Sequence, residues 1–177
     1  MRKITIAVAA CVLSLGLLAQ ATHASPLISQ PDPNDTAGAL DIEVIAGVKD
    51  RVAAPLQLGV RTFHAWHDAL LKTKGPDRIF ILFNINKDSD AEYVGEISTT
   101  DGKMTMTITG KGDTLKPIAV TRVDGRTIRV SIPRNSPANP RGAAKIAIRT
   151  TLTKSSGPCS SVCEDRGPDK GWLTIAP

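Results

Sequence analysis

The chain has 177 residues, a formal net charge of +5, 41% hydrophobic residues and only 3% aromatic residues. This hydrophobic content is too high for a wholly disordered chain, and the mean hydropathy of −0.05 excludes a protein with several membrane spans. The length predicts a single domain. Basic and acidic residues are interspersed, so the charge favours solubility and argues against nucleic-acid binding.

Residues 1–24 have the pattern of a secretory signal peptide. A basic start precedes an apolar run over residues 4–18, and small residues follow up to Ala24. We expect cleavage near Ala24, although cleavage after Ala21 also fits the pattern. A lipid anchor at Cys11 is the alternative, but the apolar run continues beyond that cysteine. The sequence therefore predicts a secreted, extracellular protein with no other segment long enough to span a membrane.

Residues 25–38 are rich in Pro, Asp, Asn and Ser, which predicts an extended N-terminal arm before a domain over residues 39–177. Alternating or continuous apolar residues then predict short strands. These strands lie at 40–44, 56–63, 79–83, 93–98, 104–108, 118–123, 127–132, 144–152 and 172–175. Asp-Gly pairs at 101–102 and 124–125 predict hairpins that join the fourth strand to the fifth and the sixth to the seventh.

The continuous apolar run over residues 79–83 predicts a central strand covered on both faces. Only residues 64–72 have a helical pattern, which we interpret as a short crossover helix. Strands at roughly ten-residue spacing, without alternating helices, are typical of antiparallel β-sheet proteins. The predicted fold class is all-β: a single antiparallel β-sandwich, jelly-roll or immunoglobulin-like, with one short crossover helix.

Two cysteines remain after cleavage, Cys159 and Cys163. In an exported protein they are expected to form a disulfide, which would staple a loop rich in Gly, Pro and Ser. A zinc half-site is the alternative, but no second pair of ligands with zinc-site spacing is present.

The segment after the third predicted strand carries oxygen-bearing side chains at every second position. These residues are Asn84, Asn86, Asp88, Asp90 and Glu92. Calcium prefers several oxygen ligands from a flexible loop, so the pattern predicts a calcium site, although its spacing is not that of an EF-hand. Asp32, Asn34 and Asp35 of the arm would add ligands if the arm folds alongside. The alternative is a solvated polar turn, because Asn, Asp and Ser also favour turns.

The two histidines that remain after cleavage are His64 and His67, and Asp68 adjoins them. This set could bind a transition metal or supply a general base. The alternative is a short amphipathic crossover with Trp66 buried and both histidines in water. The sequence has no nucleophile elbow, phosphate-binding loop or dinucleotide fingerprint, so we do not predict an enzyme.

Basic residues cluster loosely around the sixth and seventh predicted strands and the loop beyond them. They are Arg122, Arg126, Arg129, Arg134 and Arg141. They could form a positive strip, or a solvated face that protects an edge of the sheet from aggregation.

The segment 32–42, with the pattern D-x-x-D-x-x-G-x-L-D-I, resembles the opening of small secreted domains of actinobacterial type. In such domains a Trp-bearing turn, an apolar strand with an acidic loop and a late cysteine pair follow, as Trp66, residues 79–92 and the two cysteines do here. Their outline is similar to DOMON-type and carbohydrate-binding-type sandwiches. The resemblance implies a β-sandwich and ligand binding without implying an activity, and the few aromatic residues depart from a sugar-binding platform.

The sequence thus predicts a secreted, non-catalytic binding or surface-associated module that calcium could stabilise. Its partner would be an extracellular protein or a glycan, with no nucleic acid and no cofactor other than calcium. Two alternatives stay open. One is a small secreted hydrolase that uses His64 or His67, and the other is a purely structural cell-envelope protein.

Overall fold

The computed structural model describes residues 27–86, 88–153 and 161–177. The predicted signal peptide lies outside the described residues, and so does Cys159. Both the cleavage and the pairing of Cys159 with Cys163 therefore stay predictions.

The described residues form twelve strands and one turn of 3₁₀ helix. The strands are β1 (Ile28–Pro31), β2 (Ile42–Val48), β3 (Leu56–Thr62), β4 (Arg78–Asn84), β5 (Tyr93–Thr100), β6 (Lys103–Gly110), β7 (Asp113–Thr114), β8 (Ile118–Arg122), β9 (Thr127–Ile132), β10 (Ala144–Thr153), β11 (Val162–Gly167) and β12 (Leu173–Ile175). The helical turn spans Asp68–Leu71, shorter than the crossover predicted over residues 64–72.

All the strands belong to one antiparallel sheet. Its order is β1-β2-β3-β9-β8-β6-β5-β4-β10-β11, while β7 pairs with β6 and β12 pairs with β10 beside β11. The sheet curls over, so β11 contacts β2, and β12 contacts both β1 and β2. The prediction of an all-β antiparallel fold is confirmed. The core lies inside the curl, where the apolar face of each strand is buried.

Both predicted hairpins are present. β5 pairs with β6 through a turn in which Asp101 and Gly102 have φ values of 49° and 70°. Two positive φ values are the signature of the tight turn that an Asp-Gly pair favours. β8 pairs with β9, and the Asp124 carboxylate accepts a hydrogen bond from the Arg126 backbone N–H at 2.7 Å within that turn.

β4 lies inside the sheet, between β5 and β10, but the prediction that both its faces are covered was wrong. Ile79, Ile81 and Phe83 are fully buried, whereas Phe80 and Leu82 on the opposite face are half-buried. Among residues 27–86, 88–153 and 161–177, no second layer covers that face at Phe80, and the Arg149 guanidinium lies 4.9 Å from the centre of its ring. The continuous apolar run therefore reflects one buried face and one partly screened face.

Three strands were not predicted, and one of them is the two-residue β7, which pairs with the end of β6. β1 lies within the segment expected to be an extended arm and pairs with β2 through Val44–Gly47. β11 pairs with β10 although its sequence, Val-Cys-Glu-Asp-Arg-Gly, lacks an alternating apolar pattern. Its most buried side chain is an aspartate, Asp165, so hydrophobic periodicity could not reveal it.

Candidate metal centre

The connection between β1 and β2, residues 32–41, folds against the end of β11. We call this connection the arm loop. Its second half is fixed by the Thr150 hydroxyl, which donates to the Leu40 carbonyl at 2.8 Å. The loop turns at Gly38, whose φ of 132° disfavours any residue with a side chain. The loop and β11 are joined at the start of β2, where the Ile42 backbone N–H donates to the Asp165 carboxylate at 2.6 Å.

This arrangement brings five aspartates together, which we call the acid cluster. Three come from the arm loop and two from β11 and the turn after it: Asp32, Asp35, Asp41, Asp165 and Asp169. They form two overlapping groups of three that share Asp165. In each group, one carboxylate oxygen per residue lies within 4.8 Å of the others.

The centre of the acid cluster is buried. Asp32, Asp41 and Asp165 are 7%, 1% and 5% exposed, while Asp35 and Asp169 are open to solvent. Gly167 allows this packing, since a Cβ there would lie 3.3 Å from the carboxyl carbon of Asp32 and 2.8 Å from Ile45 Cδ1.

Three buried oxygens of the acid cluster lack the partners that buried carboxylates need, whereas Asp165 accepts hydrogen bonds from the backbone N–H groups of Ile42 and Arg166. Both oxygens of Asp41 and one oxygen of Asp32 accept no hydrogen bond of normal geometry. In the part of the chain that the structure describes, no basic side chain forms an ion pair with any of the five. Even Arg166 donates to the carbonyls of Pro168 and Gly171 instead. Such groups are costly to bury in the charged state, so a proton or a cation is required.

Burial is the main electrostatic effect in the acid cluster. Burial, followed by the negative charge of Asp165, raises the pKa of Asp32 to about 7 from its ordinary 3.8. Burial and Asp165 also raise the pKa of Asp41 to about 6, although the backbone N–H of Thr36 and the nearby His64 oppose the rise. Burial likewise raises the pKa of Asp165. Without a cation, the folded protein therefore retains protons that the unfolded chain would release.

The donor set fits a hard divalent cation. All the ligands are carboxylate oxygens, which suit calcium and magnesium better than transition metals. Oxygens on opposite sides of calcium lie roughly 4.6–5.2 Å apart, and those on opposite sides of magnesium roughly 4.0–4.2 Å apart. In each group the oxygens lie within 4.8 Å of one another, which is close enough for them to share one cation of either kind.

The loop predicted to bind calcium lies elsewhere, between β4 and β5. Asn86 Oδ1 accepts a hydrogen bond from the Asp88 backbone N–H at 3.0 Å, and Asp88 Oδ1 accepts one from the Asp90 backbone N–H at 2.9 Å. The Asn86 amide also donates to Asp88 Oδ2 at 2.7 Å. These bonds are typical of turns that Asn and Asp build locally. Lys87 lies outside the described residues.

The two ends of the same loop are bonded internally as well. The buried Asn84 amide donates to the Asp88 carbonyl at 2.5 Å, and Glu92 Oε2 accepts from the Ile85 backbone N–H at 2.7 Å. Glu92 Oε1 is buried without a hydrogen-bond partner. The loop thus uses much of its ligand capacity to hold its own shape, and calcium binding there stays a prediction.

The histidine segment has no arrangement of catalytic type among the described residues. His64 and His67 are both exposed, and neither side chain makes a hydrogen bond to another described residue. Asp68 pairs with Arg122 at 2.5 Å instead, and the Arg122 guanidinium lies 3.6 Å from the centre of the Trp66 ring. Trp66 is buried, as the amphipathic alternative predicted.

Comparisons with known proteins add nothing to this geometry. No family model matches the chain, and neither a curated protein nor a solved structure matches it. The resemblance to secreted sandwich domains therefore stays a prediction. Among the described residues, no helix is long and apolar enough to cross a membrane.

Sequence reasoning found part of the acid cluster and missed the rest. Asp32 and Asp35 were considered as additional ligands of a calcium site at residues 84–92 only if the arm folded alongside it, and they lie with Asp41 and Asp165 instead. The usable signal was the three aspartates of the D-x-x-D-x-x-G-x-L-D-I segment. Nothing in the sequence shows that β11 comes to meet them.

Proposed function

We propose that the protein is an exported, non-catalytic binding or surface-associated module whose arm loop is held on the sheet by calcium in the acid cluster. One observation carries the proposal: Asp41 is 1% exposed, and neither of its oxygens accepts a hydrogen bond of normal geometry. Oxygens of Asp35 and Asp165 converge on the same point. Extracellular modules bind calcium with dissociation constants of about 10⁻⁴–10⁻³ M. A site with an affinity in this range would suit an exported protein.

The proposed role of the ion is structural. The arm loop supplies Asp32, Asp35 and Asp41, while β11 and the turn after it supply Asp165 and Asp169. A cation between the two sets would neutralise their mutual repulsion and tie the N-terminal strand to the C-terminal part of the chain. We favour a non-catalytic role because both histidines are exposed and the acid cluster offers only carboxylates.

Calcium titration of the chain without its predicted signal peptide tests this proposal. At pH 7.5, isothermal calorimetry is expected to show binding that Asp41→Asn weakens by about tenfold or more, because this change removes a charged ligand at constant size. Asp88→Asn, in the loop predicted from sequence, is the matched control and is expected to bind calcium normally.

The two variants separate the competing sites. Loss of binding in Asp88→Asn with normal binding in Asp41→Asn would move the site to residues 84–92 and refute the acid cluster. Absence of binding in the unmodified protein would refute calcium dependence at both places.

A further inference from the structure

The end of the sheet farthest along β2 from the acid cluster is basic. The loop from β2 to β3, residues 49–55, lies there beside the loop from β9 to β10, residues 133–143. Together these two loops contain four basic residues and one acidic residue. We call this region the basic end.

The two loops are fixed to each other by buried side chains. Lys49 is 1% exposed, and its ammonium group donates to the carbonyls of Pro140 and Gly142. Burial lowers the pKa of Lys49, and no carboxylate pairs with it among the described residues. The Asn139 amide donates to the Ala54 carbonyl at 3.1 Å. These contacts preorganise the basic end without using its exposed charges.

A cavity of about 410 Å³ opens between the loops. It is lined by Val52, Ala53, Arg134, Asn135 and Arg141. Both arginines are exposed, and neither forms an ion pair with any described residue. Two free guanidinium groups on one cavity would repel each other, so an anion between them is favourable.

Two of the other three arginines of the predicted positive strip lie against carboxylates. Arg122 pairs with Asp68, and Arg126 lies 3.5 Å from the Glu43 carboxylate. The five arginines therefore do not act as one continuous positive surface. The positive charge that lines the cavity comes from Arg134 and Arg141.

We propose that this cavity binds a phosphate group. Guanidinium forks pair with two oxygens at once, and two forks with the Asn135 amide can surround a tetrahedral oxyanion. Val52, which is 53% exposed, gives the cavity an apolar wall. The phosphate could be free, or it could be the headgroup of an anionic lipid. The proposal is independent of the calcium site, which lies at the other end of β2.

Binding of inorganic phosphate, measured by calorimetry in EDTA, tests the proposal with the acid cluster stripped of cations. The double variant Arg134→Gln/Arg141→Gln is expected to raise the dissociation constant by about tenfold or more. Arg129→Gln is the matched control, because Arg129 is exposed and unpaired but lies outside the cavity. It is expected to bind phosphate normally.

Cosedimentation with vesicles distinguishes the two sources of phosphate. Binding to vesicles of phosphatidylglycerol but not phosphatidylcholine, lost in the double variant only, would assign the cavity to a headgroup. Phosphate binding without vesicle binding would assign it to a free phosphate. The proposal is overturned if neither probe binds, or if Arg129→Gln weakens binding as much as the double variant does.

Discussion

In EDTA, the free energy of unfolding is expected to fall as the pH rises from about 4 to about 7, and calcium is expected to oppose this fall. The pKa values of Asp32 and Asp41 are raised in the folded state from 3.8 to about 7 and about 6. Between the ordinary and raised values the folded protein binds more protons than the unfolded chain, so stability decreases with pH. At about 1.4 kcal/mol per pKa unit, the two raised values together correspond to a loss of at most about 7 kcal/mol. Urea unfolding at a series of pH values, with and without calcium, measures it.

Isosteric variants identify the groups responsible. Asp32→Asn and Asp41→Asn are each expected to flatten the pH profile in EDTA, because the asparagine does not ionise. The other titratable groups facing the acid cluster are Asp35, Asp165, Asp169 and His64. His64→Gln is the control, since His64 is the basic side chain that faces Asp41. A slope that disappears in His64→Gln but survives both Asp→Asn changes would contradict the assignment.

Gly110→Ala is expected to destabilise the fold by about 3 kcal/mol, because the end of β6 has no space for a methyl group. A Cβ at Gly110 would lie 2.1 Å from the Glu92 carbonyl oxygen and 2.9 Å from the Tyr93 Cα. Both are backbone atoms, so β5 or β6 would have to move. Urea unfolding at neutral pH measures the change in stability.

Gly142→Ala is the matched control for this substitution. A Cβ at Gly142 meets no atom within 4 Å, and its backbone needs no positive φ. We expect its unfolding midpoint to stay close to that of the unmodified protein. If the Gly110→Ala protein is as stable as the Gly142→Ala protein, the prediction is wrong, and the backbone at the end of β6 can move to accommodate a methyl group at little cost.

The elements that the sequence predicted well are those whose signals are local. Asp101-Gly102 determines its own turn, and the alternation from Met104 to Ile108 determines which face of β6 is buried. β11 was not predicted because the side chain that it buries is Asp165 and not an apolar residue. The helix was predicted to be longer than the single turn that the structure has at Asp68–Leu71. Trp66 and Leu71 both pack into the core, but Trp66 lies before that turn and is not part of it.

The two candidate calcium sites show why spacing alone does not identify a ligand set. Oxygen atoms at every second residue suit a metal, but in residues 84–92 they also suit the local turn, as Asn86 and Asp88 show. In the acid cluster the informative observation is which carboxylate oxygens accept no hydrogen bond. Asp41 has two buried oxygens that accept no hydrogen bond of normal geometry, and that fact appears only when distant strands meet.

The acid cluster joins positions near the two ends of the folded domain, since Asp32 follows β1 and Asp165 lies in β11. Contacts between such distant parts of a chain are expected to form late in folding, because closing a long loop costs entropy before the contact compensates for it. A cation bound there would therefore slow the unfolding of the native protein far more than it would speed refolding. If the protein is exported as proposed, its lifetime outside the cell depends on how rarely the native structure unfolds, and the calcium concentration there would set that lifetime.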